Sequence, residues 1–299
     1  MLDKNEQTVS FTLLNLPTPA TKTFKLVNGK IEKTVNATIY AADGETVTLP
    51  ASGLADFLVN ATKKQGIVHG VNQYSDNFKL AVKPKPKEGQ PLKVLPANTY
   101  ARTKENFVYP AGGALALFDI DPDGIGRTFD DAVAFLAYLS VIFPPLATCG
   151  FVAKGSVSAG VHKVGEQPKK GSGYHIYVFV KNGQDIPRFG DLLFKKMVLA
   201  GLAYIVLSGK GSSLLIRTVF DKSVFSPERP DFISPPQIIG EGLEYTPQPI
   251  EQRDGGFLDT SLLLDLTPDE QARHDRIKAK LKRDAKPESE KQEKKYLSV

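Results

Sequence analysis

Asp119 and Asp121 stand either side of one apolar residue at the end of the run ALALFDID, residues 114–121. On a strand, alternate side chains share a face, so the two carboxylates would point the same way. Like charges held side by side repel, and a cation between them relieves the repulsion. Two further polar groups bound apolar strands. His175 stands near the start of YHIYVFV (174–180), and Asp221 ends SLLIRTVFD (213–221). Strand ends on a rigid sheet hold side chains to the tolerance that a reactive site needs. Three carboxylate donors suit a hard divalent cation, Mg²⁺ or Mn²⁺. Two such ions, roughly 3.5–4 Å apart, would clamp both ends of an in-line phosphoryl displacement. His175 and nearby lysines would then face the triphosphate of an incoming nucleotide.

Each residue alone also has a plainer role. A D-x-D pair is common in surface turns, Asp221 alone suits a cap or a salt bridge, and a single histidine such as His69, His162 or His274 says little. DPDG (121–124) resembles the start of a calcium loop, but the stretch continues IGRTFDDA without the glutamate that loop requires. Asp123 and Gly124 read as turn residues. SGKGSS (208–213) lacks the glycine spacing of a phosphate loop and is set aside.

Composition frames these residues. The 299-residue chain is 41% hydrophobic, enough for one large or two modest cores. Its net charge of +5 is compatible with a polyanionic partner. Cys149 is the only cysteine, which excludes an intramolecular disulfide and a cysteine-cluster metal site; a small buried apolar role is expected. The first residues lack a basic segment followed by an apolar run, and nowhere do eighteen apolar residues run together. The expected setting is cytoplasmic, with no membrane span.

The elements that must position the site follow from patterning. VSFTLL, KTFKLV, ATIYAA and ETVTLP within residues 8–50 read as strands, with NGK and DGE as tight turns. SGLADFLVNATKKQG (52–66) reads as a helix capped by Ser52 and closed by Gly66. Residues 83–96 form a lysine- and proline-rich loop, and a helix over about 129–142 stops at Pro144 and Pro145. RFGDLLFKKMVLAGLAYIVL (188–207) carries an apolar helix, and residues 225–257 read as an irregular segment packed on the body. Thr267, Pro268 and Glu270 spell a capping box before a charged helix, expected to be solvent-facing, a linker or a partner-binding arm. No internal repeat is visible. The expected class is α/β or α+β on a central mixed sheet.

The order of motifs resembles the archaeo-eukaryotic primase superfamily, the prim-pols. The first motif of that superfamily, a strand ending in D-x-D, is matched by LFDID with Asp119 and Asp121. The second, a small residue two positions before a strand histidine, is matched by Gly173-Tyr174-His175; many members have serine where this chain has Gly173. The third, an aspartate after an apolar strand, is matched by Asp221. ARTKENFVYP, SVSAG and FSPERPDF extend the likeness to prim-pol domains of phage and plasmid replication proteins, over roughly residues 95–250.

The resemblance implies a primase-polymerase fold with an RRM-like catalytic half, spanning 1–257 (N-terminal strands and helix 1–95, motif-bearing core 96–257), with 258–299 as a charged helical tail or linker. It implies Asp119, Asp121 and Asp221 as ligands of two Mg²⁺ or Mn²⁺ ions. It places His175 on the nucleotide phosphates, with Ser172 and Lys170 as helpers and Arg217 and Arg229 beside the third motif. Surface salt bridges are the plainer role for both arginines. The implied activity is template-directed nucleotidyl transfer on single-stranded DNA from NTP or dNTP, as a primase or DNA polymerase, with a replicative helicase domain or protein as a possible partner. Lys154, Lys163, Lys169, Lys170 and the lysines of 83–87 are candidates for a template groove, and Tyr174 and Phe225 for base stacking or, more simply, for the core. The rival readings are a catalytically idle single-strand or origin-binding module and a metal-dependent nuclease.

Overall fold

A computed structural model describes residues 7–35, 38–84, 94–120, 127–168, 173–208 and 213–298. Asp121, Lys169, Lys170, Ser172 and residues 85–87 of the lysine-rich loop therefore lie outside the described residues. The class is mixed α and β.

Two sheets lie face to face, in place of the one central mixed sheet expected. The first has six strands: β1 (Thr8–Asn15), β2 (Ala41–Pro50), β3 (Gln65–Val68), β4 (Asn77–Ala81), β5 (Thr99–Ala101) and the later β11 (Pro230–Asp231). Their order is β11-β3-β1-β2-β4-β5, antiparallel except for the parallel β4/β5 pair. The second has four antiparallel strands, in the order β6-β8-β7-β12: β6 (Ala114–Ile120), β8 (Tyr174–Val180), β7 (Phe151–Gly155) and β12 (Glu251–Arg253).

The two-residue period of β6 divides the core. Ala114, Ala116, Phe118 and Ile120 face one way and pack, with Ile176, Val178 and Phe151, against the helices α2 (Ala132–Ser140) and α3 (Ile186–Leu199). Leu115 and Leu117 face the other way, where Val152, Tyr177 and Phe179 meet Val9, Phe11, Leu13 and Ile67 of the six-stranded sheet. Burying such a side chain contributes about 1.5–3 kcal/mol, so a one-residue slip of β6 would reverse its whole pattern at prohibitive cost.

Several local expectations change for packing reasons. DGE (43–45) is no turn: it lies inside β2, and a Cβ on Gly44 would come within 2.4 Å of the Phe78 ring. Glycine there admits an aromatic ring against the strand. The expected 52–66 helix shrinks to α1 (Leu54–Val59), with Gly53 at its N-cap and no side-chain cap bond, while Gly66 belongs to β3. The apolar run 188–207 splits: α3 stops, Gly201 turns with φ +75°, and β9 (Tyr204–Leu207) pairs with β10 (Leu214–Arg217). Cys149 is buried as expected.

The capping box forms as written. The Thr267 Oγ1 accepts from the Glu270 N–H at 3.3 Å, and the Glu270 carboxylate accepts from the Thr267 N–H at 2.8 Å. The helix it opens, α4 (Pro268–Leu297), packs on α3, β9 and β10. The chain leading to it is anchored too, with Leu258 and Leu263 in the helical core. Among the described residues no helix is long and apolar enough to cross a membrane.

Candidate functional site

Phenylalanines bring the two motif aspartates together. Phe118 precedes Asp119, and Phe220 precedes Asp221. Phe118 meets Phe220 and Phe225 edge-on, at 5.5 and 5.2 Å between ring centroids. Such pairs contribute about 0.5–1.5 kcal/mol each beyond area burial. The Asp221 N–H then donates to the Asp119 carbonyl at 3.2 Å, so residues a hundred positions apart become backbone neighbours. The Asp221 side chain caps a 3₁₀ turn, its Oδ1 accepting from the Ser223 N–H at 2.9 Å, and it pairs with Arg217 at 3.1 Å. Capping and salt-bridge roles thus coexist with a position beside Asp119.

Across the four-stranded sheet, Asp119 on β6, His175 on β8 and Lys154 on β7 are direct register partners. Direct partners share a face; here it is the face turned toward the six-stranded sheet. His175 Nε2 lies 3.6 Å from Asp119 Oδ1. On the other side of the ring, Nδ1 lies 2.8 Å from Oδ1 of Asp231, a charge contact off the line of a good hydrogen bond. Asp231 is buried on β11, held there by pairing with Ile67 of β3. Its Oδ2 accepts from the Tyr177 hydroxyl at 2.5 Å. The histidine is therefore gripped from the second sheet by an aspartate that no motif marked.

The electrostatics follow from burial. Burial alone would strip His175 of its proton, yet the Asp231 and Asp119 carboxylates outweigh it and raise its pKa. Asp231 is likewise opposed by burial but is held well below the usual carboxylate range by His175 and His69. Asp119 moves upward, chiefly by burial, with the Asp231 and Asp221 charges adding to it and His175 and Lys22 opposing. Lys22 is a second group near the site that the sequence did not reveal.

His69, fully buried, lies 4.0 Å from Asp231 through Nε2, and burial pushes its pKa down to about 4. A folded-state pKa below the ordinary 6.5 means the unfolded chain takes up the proton first, so stability falls as pH drops from 6.5 toward 4. The loss amounts to about 3 kcal/mol for a shift of this size. Removing the imidazole in His69→Leu should flatten that acid slope in denaturant midpoints measured from pH 7 to pH 4; an unchanged slope would place its origin elsewhere.

The hard oxygen donors of Asp119 and Asp221 suit a hard divalent cation in kind, and the crowding of negative charge around Asp119 is what a cation would relieve. Among the described residues no group of three or more His, Cys, Asp or Glu side chains is arranged to hold a metal ion. The donor set predicted from sequence includes Asp121, outside those residues.

Other candidates are placed as follows. Arg217 and Arg229 line an open cleft of about 730 Å³ that also takes in Asp221. Lys154 lines a small pocket of about 250 Å³, but its ammonium is largely buried and donates to the Ile233 carbonyl. Lys163 pairs with Glu166 at 3.5 Å. Tyr174 and Phe225 are buried, and Phe225 also contributes to the lining of the cleft that holds Arg217 and Arg229. Comparisons with protein-family models, with curated proteins and with solved structures return no match.

Proposed function

We propose that the protein is a metal-dependent nucleotidyltransferase of the primase-polymerase kind, copying single-stranded DNA from nucleoside triphosphates. The observation that carries this reading is the Asp119–Asp221 backbone contact, with His175 beside Asp119 on the same sheet. Counting only the members of the four-stranded sheet, the order β6, α2, β7, β8 and α3, with both helices on one face, supports an RRM-like catalytic half; a short strand between β7 and β8, Val161–Lys163, pairs outside that sheet with Leu243–Tyr245.

Nucleotidyl transfer needs alignment and charge neutralisation more than covalent help. Asp119 and Asp221, with Asp121, would hold Mg²⁺ or Mn²⁺; when bound, the ions supply activation of the attacking 3′-hydroxyl and neutralisation of the pyrophosphate leaving group. His175, its proton affinity raised by the Asp231 and Asp119 carboxylates against burial, would contact the triphosphate through its Nε2 side. Asp231 and Tyr177 would fix the ring so that no orientation has to be found during binding. Arg217 and Arg229 would take phosphate oxygens from the cleft, as guanidinium groups do. Ser172 and Lys170 keep the roles implied by the motif.

The assay is a labelled primer annealed to a longer template, incubated with divalent metal, with and without nucleotides. Nucleotide-dependent lengthening is expected. Shortening would mean a nuclease, and binding without either change would mean an idle module. In the active enzyme, His175→Ala should raise KM for nucleotide about tenfold or more while kcat changes less, since a charge-assisted phosphate contact contributes about 1.5–3 kcal/mol. An unchanged KM would remove the residue from the nucleotide site.

A further inference from the structure

The inward stripe of α4 is not apolar enough to be visible in the sequence. His274 and Ser289 are buried, Ile277, Leu281 and Ala285 are half-buried, and the Gln292 amide donates to the Ser208 carbonyl at 3.0 Å. These contacts turn one edge of the helix toward the cleft that contains Asp221. Lys278 and Lys282, one turn apart, stand on that edge and line the cleft. An α-helix rises about 5.4 Å per turn, so the two ammonium groups form a short row along the axis.

The cleft carries six cationic side chains: Lys104, Arg217, Lys222, Arg229, Lys278 and Lys282. Its acidic members are Asp191, Asp221 and Glu228. Two of these cations are already engaged, Arg217 with Asp221 and Lys222 with Asp191. Among the described residues Lys104, Arg229, Lys278 and Lys282 have no acidic partner within ion-pair distance. Six cations against three carboxylates leave the cleft with an excess of positive charge, and such a surface attracts a polyanion. Half-buried Phe194 and the partly exposed Leu215 supply an apolar floor between the charges, which suits flat bases as well as phosphates.

The geometry points to α4 as one wall of a single-strand track: Lys278 and Lys282 bind the backbone phosphates of a DNA strand that leads to the Asp119–Asp221 pair. This deepens the nucleotidyltransferase reading and rests on it for where the strand leads, while the binding itself stands on the cleft. A strand is favoured over a lone triphosphate because the cationic positions come from four separate stretches of chain, at Lys104, at Arg217 and Lys222, at Arg229 and on α4.

The test uses the full chain and a fluorescent single-stranded oligonucleotide, titrated across a range of salt. Each phosphate contact to a single strand contributes about 0.7 to the slope of log K against log salt. Lys278→Gln with Lys282→Gln should lower that slope by about 1.4, which in 0.1 M salt corresponds to about 25-fold weaker binding relative to a 1 M reference. The control is Arg276→Gln with Lys280→Gln, the same charge change on the opposite side of α4, where a much smaller loss is expected. Thermal melting checks that both variants fold. Equal losses for the two pairs, or none for the inward pair, would overturn the assignment. So would a loss confined to binding of free dATP, which would make the lysines a triphosphate site. If wild-type protein extends no primer yet the inward pair alone loses oligonucleotide affinity, the catalytic reading fails and the track stands. If extension is robust and the inward pair behaves as the control, the reverse holds.

Discussion

Asp119→Asn is expected to lose nucleotide incorporation by at least about 10³-fold, roughly 4 kcal/mol of transition-state stabilisation, while the protein keeps its fold. Asparagine preserves shape but removes the charge that would hold a cation. The packing that positions residue 119 belongs to its neighbours Phe118 and Ile120, both buried on the helical face. Its carbonyl would still accept from the Asp221 N–H. Burial and the nearby Asp231 and Asp221 carboxylates already press against the Asp119 charge, so the melting temperature should hold or rise. Asp221→Asn should lose activity comparably, with its Ser223 cap partly retained through the amide oxygen. Wild-type-like incorporation by either folded variant would end the assignment of that residue.

The second large effect is structural. Asp231→Ala should destabilise the protein by about 3–5 kcal/mol, the usual consequence of removing one partner from a buried ion pair. It strands His175 and the Tyr177 hydroxyl together and removes the carboxylate charge that favours the buried Lys154 ammonium. At roughly 2–4 °C per kcal/mol for a domain of this order of size, the melting temperature should drop by on the order of 10 °C. Asp231→Asn keeps an acceptor for Tyr177 and should fall less. If Asp231 positions His175, this milder variant still raises KM for nucleotide at a temperature where it is fully folded. A variant that melts early but binds nucleotide normally would restrict Asp231 to a structural role.

Much of this was legible in the chain because local patterning decides it. The two-residue alternation of ALALFDID, the apolar run YHIYVFV and the Thr267–Glu270 box each state an element without help from distant residues. Asp119 and His175 were legible as strand-end polar groups; Asp221 was expected to end a strand, but that strand stops at Arg217 and Asp221 caps the turn beyond it, still beside Asp119. Asp231 was not legible: it sits ten residues past Asp221 in RPDF, and only long-range pairing of β11 with β3 turns it into the core against His175. His69 follows directly on Val68, the β3 residue paired with Pro230. The DGE turn failed because Phe78, thirty-four residues downstream of Gly44, requires a strand glycine there. The docking of α4 escaped because its inward stripe has only Ile277, Leu281 and Ala285 as apolar members, and a stripe that sparse has little periodic signal.

The most direct test is Mn²⁺ binding followed by electron paramagnetic resonance, in wild type, Asp119→Asn and Asp221→Asn, each shown to be folded. Both substitutions should weaken binding more than about tenfold, and the double variant should be little worse than either, as expected for donors to shared ions. Mn²⁺ held equally well by all three proteins would show that Asp119 and Asp221 do not serve a common cation, and the proposed chemistry would lose its centre.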